Sequence, residues 1–256
     1  MTESSRPERY SRLVLLLKEE GLDRLLHSRV MVLGLGGVGS SCCEALARAG
    51  VGSLVILDGD RVEESNINRQ ALAFLSTVGR LKVEVMGEMV KQINPDCELS
   101  RHPIFLEKET IEETLSSLPR PDYVVDCIDT ISQKLGIAAW CAKEGLPLLS
   151  AMGAANKYDP CQLRFGKIEE TVNCALSKVI RRECRKRGIR DLEVIYSTEL
   201  VNLEKRDPVR EKSRTLGSMS YMPPIMGQMM AGRLILRLAG RDEISGIPHL
   251  AGRREP

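Results

Sequence analysis

Between residues 29 and 152, short runs of consecutive apolar residues alternate with stretches in which apolar residues return every three or four positions. "RVMVLGLGGVGSSCCEALARAG" reads as strand, glycine turn and helix, and "SLVILD" as a second apolar strand closing on an acid. In "GRLKVEVMGEMVKQINPD", Val83, Met86, Met89, Val90 and Ile93 keep close to a helical period. "CELSRHP" predicts a strand and "KETIEETLSSL" a short polar helix. "DYVVDCID" predicts a buried strand, "ISQKLGIAAWCAKEG" the helix after it, and "LPLLSA" another strand. Strands joined through helices imply an α/β chain: a Rossmann-like, doubly wound, mostly parallel sheet with helices on both faces.

After Gly153 the pattern loosens, and a less regular C-terminal extension is expected. "CQLRFGKI" and "LEVIYST" have the composition of strands, with a helix, "VNCALSKVIRRECRKRG", between them. "NLEKRDPVREKSRTLGSM" is polar and predicts a loop or crossover. "MPPIMGQMMAGRLILRLAG" predicts a core helix opening on two prolines. Arg233 and Arg237 break its apolar run well short of the roughly 20 residues a membrane span needs, so no obligate membrane insertion is expected. The whole chain reads as one domain, with a core at about 9–152 and a second part at about 153–240.

Composition narrows the class. Of the 256 residues, 43% are hydrophobic and 28% charged, as in globular domains with a real core. The net charge of +2 gives no global polyelectrolyte signal, so any nucleic-acid contact must come from a local patch. The eight cysteines form no C-x-x-C pair, which argues against structural zinc. "MTESSRPERY" lacks the apolar core of a secretion signal. The cysteines are therefore expected to be reduced thiols in a cytoplasmic protein.

Gly34, Gly36 and Gly39 form G-x-G-x-x-G, with Gly37 a fourth glycine. Such a turn lets phosphates approach the first amides of the following helix. Asp58, 19 residues after Gly39, ends the second strand, where a ribose-binding carboxylate belongs. These features suit NAD and ATP equally. "DGDRVEESNINRQ" then adds Asn66, Asn68 and Arg69, and Lys82 follows 13 positions after Arg69. Two cations at the carboxyl edge of a sheet suit a triphosphate and the charge on departing pyrophosphate. Asp129, in "DCID", would face the same crevice and could hold Mg²⁺. Taken singly, Arg69 and Lys82 also read as solvated charges and Asp129 as a helix N-cap. His27, His102 and His249 read as surface or packing residues.

"GLGGVGS", "DGDRVEESNINRQ", "VGRLKVEVM", "DCID" and the upstream "RYSRL" resemble the ThiF-like adenylating enzymes, the superfamily that activates ubiquitin and sulfur-carrier proteins. "SAMGAANKYDP", "KVIRRECRKRGI", "VIYSTE" and "GSMSYMPP" resemble, within it, the tRNA threonylcarbamoyladenosine dehydratases. The resemblance runs from about Arg9 to Gly240. It implies ATP and Mg²⁺ as cofactors, with Asp58 on the ribose and the Gly34 to Gly39 loop beneath the phosphates. Asn66, Arg69 and Lys82 would contact the phosphates, and Asp129 would position the metal. Arg12 matches an arginine that reaches into a partner's site, which implies a homodimer. The implied reaction adenylates the threonylcarbamoyl carboxylate beside the anticodon and closes a ring with loss of water. Two departures bear on the rival reading, activation of a sulfur-carrier or ubiquitin-like protein. The paired C-x-x-C motifs are missing, and no cysteine occurs between Ile195 and Met222, where Ser218 stands near a thiol position of some relatives. A sulfur-transfer partner stays open. A nicotinamide oxidoreductase, the more distant rival, leaves Arg69, Lys82 and Asp129 idle. A nucleotide-binding module without catalysis is a third.

In "KVIRRECRKRGIR", Lys178, Arg181, Arg182 and Arg185 share one helix face, extended by Lys186, while Leu176, Val179, Ile180 and Cys184 share another. The basic face could neutralise tRNA phosphates or be merely solvated. Lys205, Arg206, Arg210, Lys212 and Arg214 add charge diluted by acids. With three Phe, five Tyr and one Trp, no base-stacking platform can be named, so shape and phosphate contacts are expected rather than base readout.

Overall fold

The computed structural model describes residues 7–200 and 216–241. Lys205, Arg206, Arg210, Lys212, Arg214 and His249 lie outside them. The apolar runs become strands β1 (Arg29–Leu33), β2 (Ser53–Leu57), β3 (Glu98–His102), β4 (Tyr123–Asp126) and β5 (Leu148–Ala151). β6 (Leu163–Lys167) and β7 (Glu193–Ser197) follow. The helices are α1 (Ser11–Leu26), α2 (Gly37–Arg48), α3 (Lys82–Ile93), α4 (Ile111–Ser116), α5 (Ile131–Glu144), α6 (Ala175–Arg187) and α7 (Met222–Leu238).

Across the sheet the order is β3-β2-β1-β4-β5-β7-β6. Every pairing is parallel except β6 with β7. The chain steps outward from β1 to β3, then returns to place β4 on the other side of β1. That reversal opens a crevice beyond the carboxyl ends of β1 and β4, where ligands bind in open α/β sheets. Because successive strand residues point to opposite faces, Val30 and Val32 enter the core under α2, α3 and α7. Met31 and Leu33 enter the core under α4 and α5. Leu135 and Ala138 of α5 close a third cluster with Ile180 and Cys184 of α6.

The second part of the chain is more regular than its sequence pattern implies. β7 pairs with β5, so residues beyond 153 complete the same sheet. The pattern predicts no element over α1, whose apolar residues do not keep to one face: Leu15 and Leu16 are exposed while Leu17 and Leu22 are buried. α1 also bends at Lys18, which takes a left-handed φ of 64°.

The prolines of α7 sit in its first turn, where a missing N–H costs nothing. α7 lies so close to α2 that a Cβ on Gly227 would stand 2.2 Å from the Val38 carbonyl oxygen. The arginines that interrupt its apolar run have a definite use. Arg233 Nε lies 2.9 Å from Glu193 Oε1 and Arg237 Nη2 donates to the same oxygen at 2.9 Å, tying the helix to the start of β7. Among the described residues no helix is long and apolar enough to cross a membrane.

Candidate active site

The glycines do different jobs at the exit of β1. Gly34 adopts a φ of +88° that disfavours a side chain, and its N–H donates to Leu57 O at 2.8 Å. Gly36 caps α2 from an extended conformation without a capping side chain, and a Cβ there would meet nothing within 4 Å. There is thus room beside Gly36, at the helix end whose first amides lack intrahelical acceptors and so suit an anion. A Cβ on Gly37 would stand 2.8 Å from Pro223 Cβ, so this glycine admits the start of α7. On Gly39 it would stand 1.8 Å from Gly34 O. A backbone atom cannot give way as a side-chain tip can. Gly39→Ala is therefore expected to weaken nucleotide binding by tenfold or more (about 1.4 kcal/mol per tenfold), read by calorimetry alongside a thermal melt.

Asp58 stands one residue beyond β2 and is buried. Its carboxylate accepts the Leu35 N–H at 2.6 Å and the Asp60 N–H at 2.8 Å, which seats it against the glycine turn. Burial pushes its pKa up, opposed by the Lys82 charge and by those two amides. Lys82, the first residue of α3, is buried too. Its Nζ lies 2.9 Å from Asp60 Oδ2 and 4.0 Å from Asp58 Oδ1. Arg69 lays its stem against Gly37, and its Nη1 donates to Ser65 O at 3.0 Å and Asn68 Oδ1 at 2.8 Å. Lys82 thus lies beside Asp58, and Arg69 beside the glycine turn.

Asn66 is engaged locally. Its Oδ1 accepts the Glu63 N–H at 3.2 Å and its Nδ2 donates to Ser65 Oγ at 3.3 Å, so it caps a short 3-10 turn. Asn68 reaches much further, donating to Ser218 O at 3.1 Å. Ser218 is thereby brought to the edge of the site. Arg12 is exposed near the start of α1. Asp129 is exposed three residues beyond β4, and Thr130, not Asp129, is the N-cap of α5. Among the described residues no group of three or more His, Cys, Asp or Glu converges as a metal cage. A single open carboxylate fits Mg²⁺ of the kind that keeps its waters and arrives with phosphates.

The sequence spacing does not point to the most buried charges here. Asp126, at the end of β4, meets Lys134 Nζ at 2.9 Å, and their side chains are 1% and 2% exposed. Ser150 Oγ donates to the same Asp126 oxygen at 2.6 Å, and Lys134 Nζ to Ser150 Oγ at 3.2 Å. The other Asp126 oxygen accepts the Ile128 N–H at 3.1 Å, which shapes the turn carrying Asp129. One signal was available: Lys134 stands beside Leu135 and one turn before Ala138, on the apolar side of α5. Cys127, in the same turn, backs the glycines, within 3.1 Å of where Cβ atoms of Gly34 and Gly39 would be.

All eight cysteines are free, and burial pushes the thiol pKa of Cys97 and Cys184 up to about 11. His27, at the surface, pairs through Nδ1 with Asp23 O at 2.7 Å, and the partly buried His102 pairs through Nε2 with Ser100 Oγ at 2.7 Å. On α6, Lys178, Arg182, Arg185 and Lys186 are exposed. Arg181 is turned inward, its Nη1 donating to Thr171 O at 2.6 Å and Thr171 Oγ1 at 2.8 Å. Glu183 pairs with Arg182 at 3.2 Å and Lys186 at 3.1 Å. The basic face is therefore narrower than the helical spacing implies.

A glycine turn at a helix start, with a seated carboxylate, a lysine and an arginine close by, is chemically suited to a nucleoside polyphosphate. Comparison with known proteins agrees. A profile of the ThiF family matches residues 10–253. The tRNA threonylcarbamoyladenosine dehydratase of Bacillus subtilis is 38% identical over 249 residues, covering 93% of this chain and 97% of that protein. The crystal structure of the Escherichia coli tRNA N6-threonylcarbamoyladenosine dehydratase in complex with ATP superposes with a TM-score of 0.81 at 26% identity, covering 93% of this chain and 96% of that one. The sulfur carrier protein ThiS adenylyltransferase of Escherichia coli is 37% identical over 145 residues, 56% of this chain and 57% of that protein.

Proposed function

The chain belongs to the ThiF family, and from that premise we propose that it is an ATP-dependent tRNA threonylcarbamoyladenosine dehydratase. One observation carries the reading: the match to the dehydratases spans nearly the full length of both proteins, while the ThiS-activating relative aligns over little more than half.

The glycine turn and the α2 amides receive the phosphates, and Asp58 receives the ribose. Lys82 and Arg69 face the charge that grows on pyrophosphate as the α-phosphate passes to the substrate carboxylate. Asp129 is the residue that would hold Mg²⁺, which supplies charge neutralisation on the phosphate oxygens. Adenylation makes the carboxylate carbon electrophilic. The neighbouring carbamoyl oxygen then attacks, the ring closes, and AMP leaves with the oxygen that completes a net loss of water. Nucleophile and electrophile sit on one substituent, so proximity drives this second step. It needs no thiol, in keeping with the stretch from Ile195 to Met222, which has no cysteine.

The reading carries three further assignments. The exposed Lys178, Arg182, Arg185 and Lys186 of α6 contact the tRNA backbone, with Arg181 serving more to hold the 171 loop. Arg12 completes the site of a second copy in a homodimer. The protein acts in the cytoplasm on tRNA already carrying threonylcarbamoyladenosine.

The test supplies that tRNA with ATP and Mg²⁺ and follows all products. Pyrophosphate and AMP are expected in equal amounts, with a nucleoside lighter by one water. Release of ADP and phosphate would contradict the adenylate. Pyrophosphate release that survives ribonuclease and responds to a carrier protein's C-terminus would favour the sulfur-carrier reading.

A further inference from the structure

Four of the chain's nine aromatic residues, Tyr10, Tyr123, Trp140 and Tyr196, are buried. Tyr158 and Tyr221 are not: they are 63% and 36% exposed, and they lie together. Tyr221 Oη donates to Tyr158 O at 2.7 Å. Their two loops are tied a second time, since Gly217 N donates to Asn156 Oδ1 and Asn156 N to Gly217 O, both at 2.9 Å.

The backbone beneath the rings is held firmly. Tyr158 N and Asp159 N each donate to the Glu199 carboxylate at 3.0 Å. Buried Lys157 donates to Asn173 O and Glu199 O. On one side this platform adjoins the nucleotide site, because Asn68 holds both Ser218 O and the Arg69 guanidinium. On the other it adjoins α6, whose N-cap Cys174 follows Asn173 and which carries Lys178 and Arg182 into solvent.

We propose that Tyr158 and Tyr221 stack on unpaired bases of an RNA loop next to the adenosine being modified. The proposal rests on the tRNA reading above. Exposed aromatic rings on an anchored backbone, between a basic helix and a reaction site, are what single-stranded RNA recognition uses: cations hold the backbone while rings take splayed bases. A protein tail laid down as an added strand would need free backbone groups. Here Tyr158 N and O are already bonded within the chain. The surface offers ring faces rather than a ladder.

The experiment uses the full chain and an anticodon stem-loop RNA bearing threonylcarbamoyladenosine. Tyr158→Ala and Tyr221→Ala are each expected to raise KM for the RNA by about tenfold, within the range of one lost base–aromatic stack. ATP affinity by calorimetry and the melting temperature should stay near the parent values. Tyr158→Phe and Tyr221→Phe keep a ring and should keep most of the RNA affinity, although Tyr221→Phe loses the bond to Tyr158 O. An unchanged RNA KM in both alanine variants overturns the platform and leaves the tRNA reading standing. Phenylalanine variants as impaired as the alanine ones also overturn it, because the hydroxyls rather than the rings would then matter. A parent protein that binds ATP but ignores the RNA overturns the platform and the tRNA reading together.

Discussion

Lys82→Ala is expected to slow pyrophosphate release by roughly 100- to 1000-fold, the usual cost of removing one group aimed at developing transition-state charge. The size follows from where the ammonium sits. Its side chain is 6% exposed, and Asp60 and Asp58 flank it at 2.9 Å and 4.0 Å. An exposed lysine would be screened by water and easily replaced. A buried one is held in place before substrate arrives, so little reorganisation is needed during the reaction. The same substitution leaves Asp58 buried without its nearest cation, which drives its pKa further in the direction burial already pushes it. The Asp58 carboxylate also loses the cation that helps fix it as a ribose acceptor, so KM for ATP should rise as kcat falls. Single-turnover kinetics with saturating tRNA separates the two effects. A rate within threefold of the parent would remove Lys82 from the transition state.

The second large effect is on stability. Lys134→Met should destabilise the fold by about 3–5 kcal/mol, because it leaves Asp126 as an unpaired buried charge. Its other partners are already engaged: Ser150 Oγ and the Ile128 N–H bond that carboxylate, and both side chains of the ion pair are almost fully enclosed. Adding Asp126→Asn should recover much of the loss, since the amide oxygen still accepts while the uncompensated charge is gone. Chemical denaturation of the parent, the single and the double variant reads this directly. A single-variant loss below 1 kcal/mol would show that water or a rotated side chain satisfies Asp126. The network also shapes the turn that carries Asp129. Lys134→Met should therefore raise the Mg²⁺ concentration needed for half-maximal rate, even at temperatures where the variant stays folded.

Much of the fold was legible along the chain. Alternating apolar runs and helical periods marked β1 to β5 and the helices between them, and even the loosely patterned stretch after Gly153 contained β6, α6 and β7 in the expected order. The glycine turn and the acid after the second strand were legible for the same reason: each is a local requirement, met by residues within one strand–turn–helix unit. α1 was not, because its apolar residues divide between core and solvent around the bend at Lys18.

Partnership is a different matter. Spacing could place Asn66, Asn68 and Arg69 on one segment, but not show that Asn66 caps a local turn while Asn68 reaches Ser218, 150 residues away. It grouped Arg181 with an outward basic face, although the guanidinium turns in to Thr171. It was silent on Asp126 with Lys134 and Ser150, and on the pairing of Tyr158 with Tyr221. The sequence by itself determined most of the elements, their order and the glycine turn, since backbone geometry and side-chain period act between near neighbours. Only the tertiary structure decided which polar groups meet. Those contacts join distant segments, and a buried charge or an exposed ring acquires its meaning from what packing brings within a few ångströms of it.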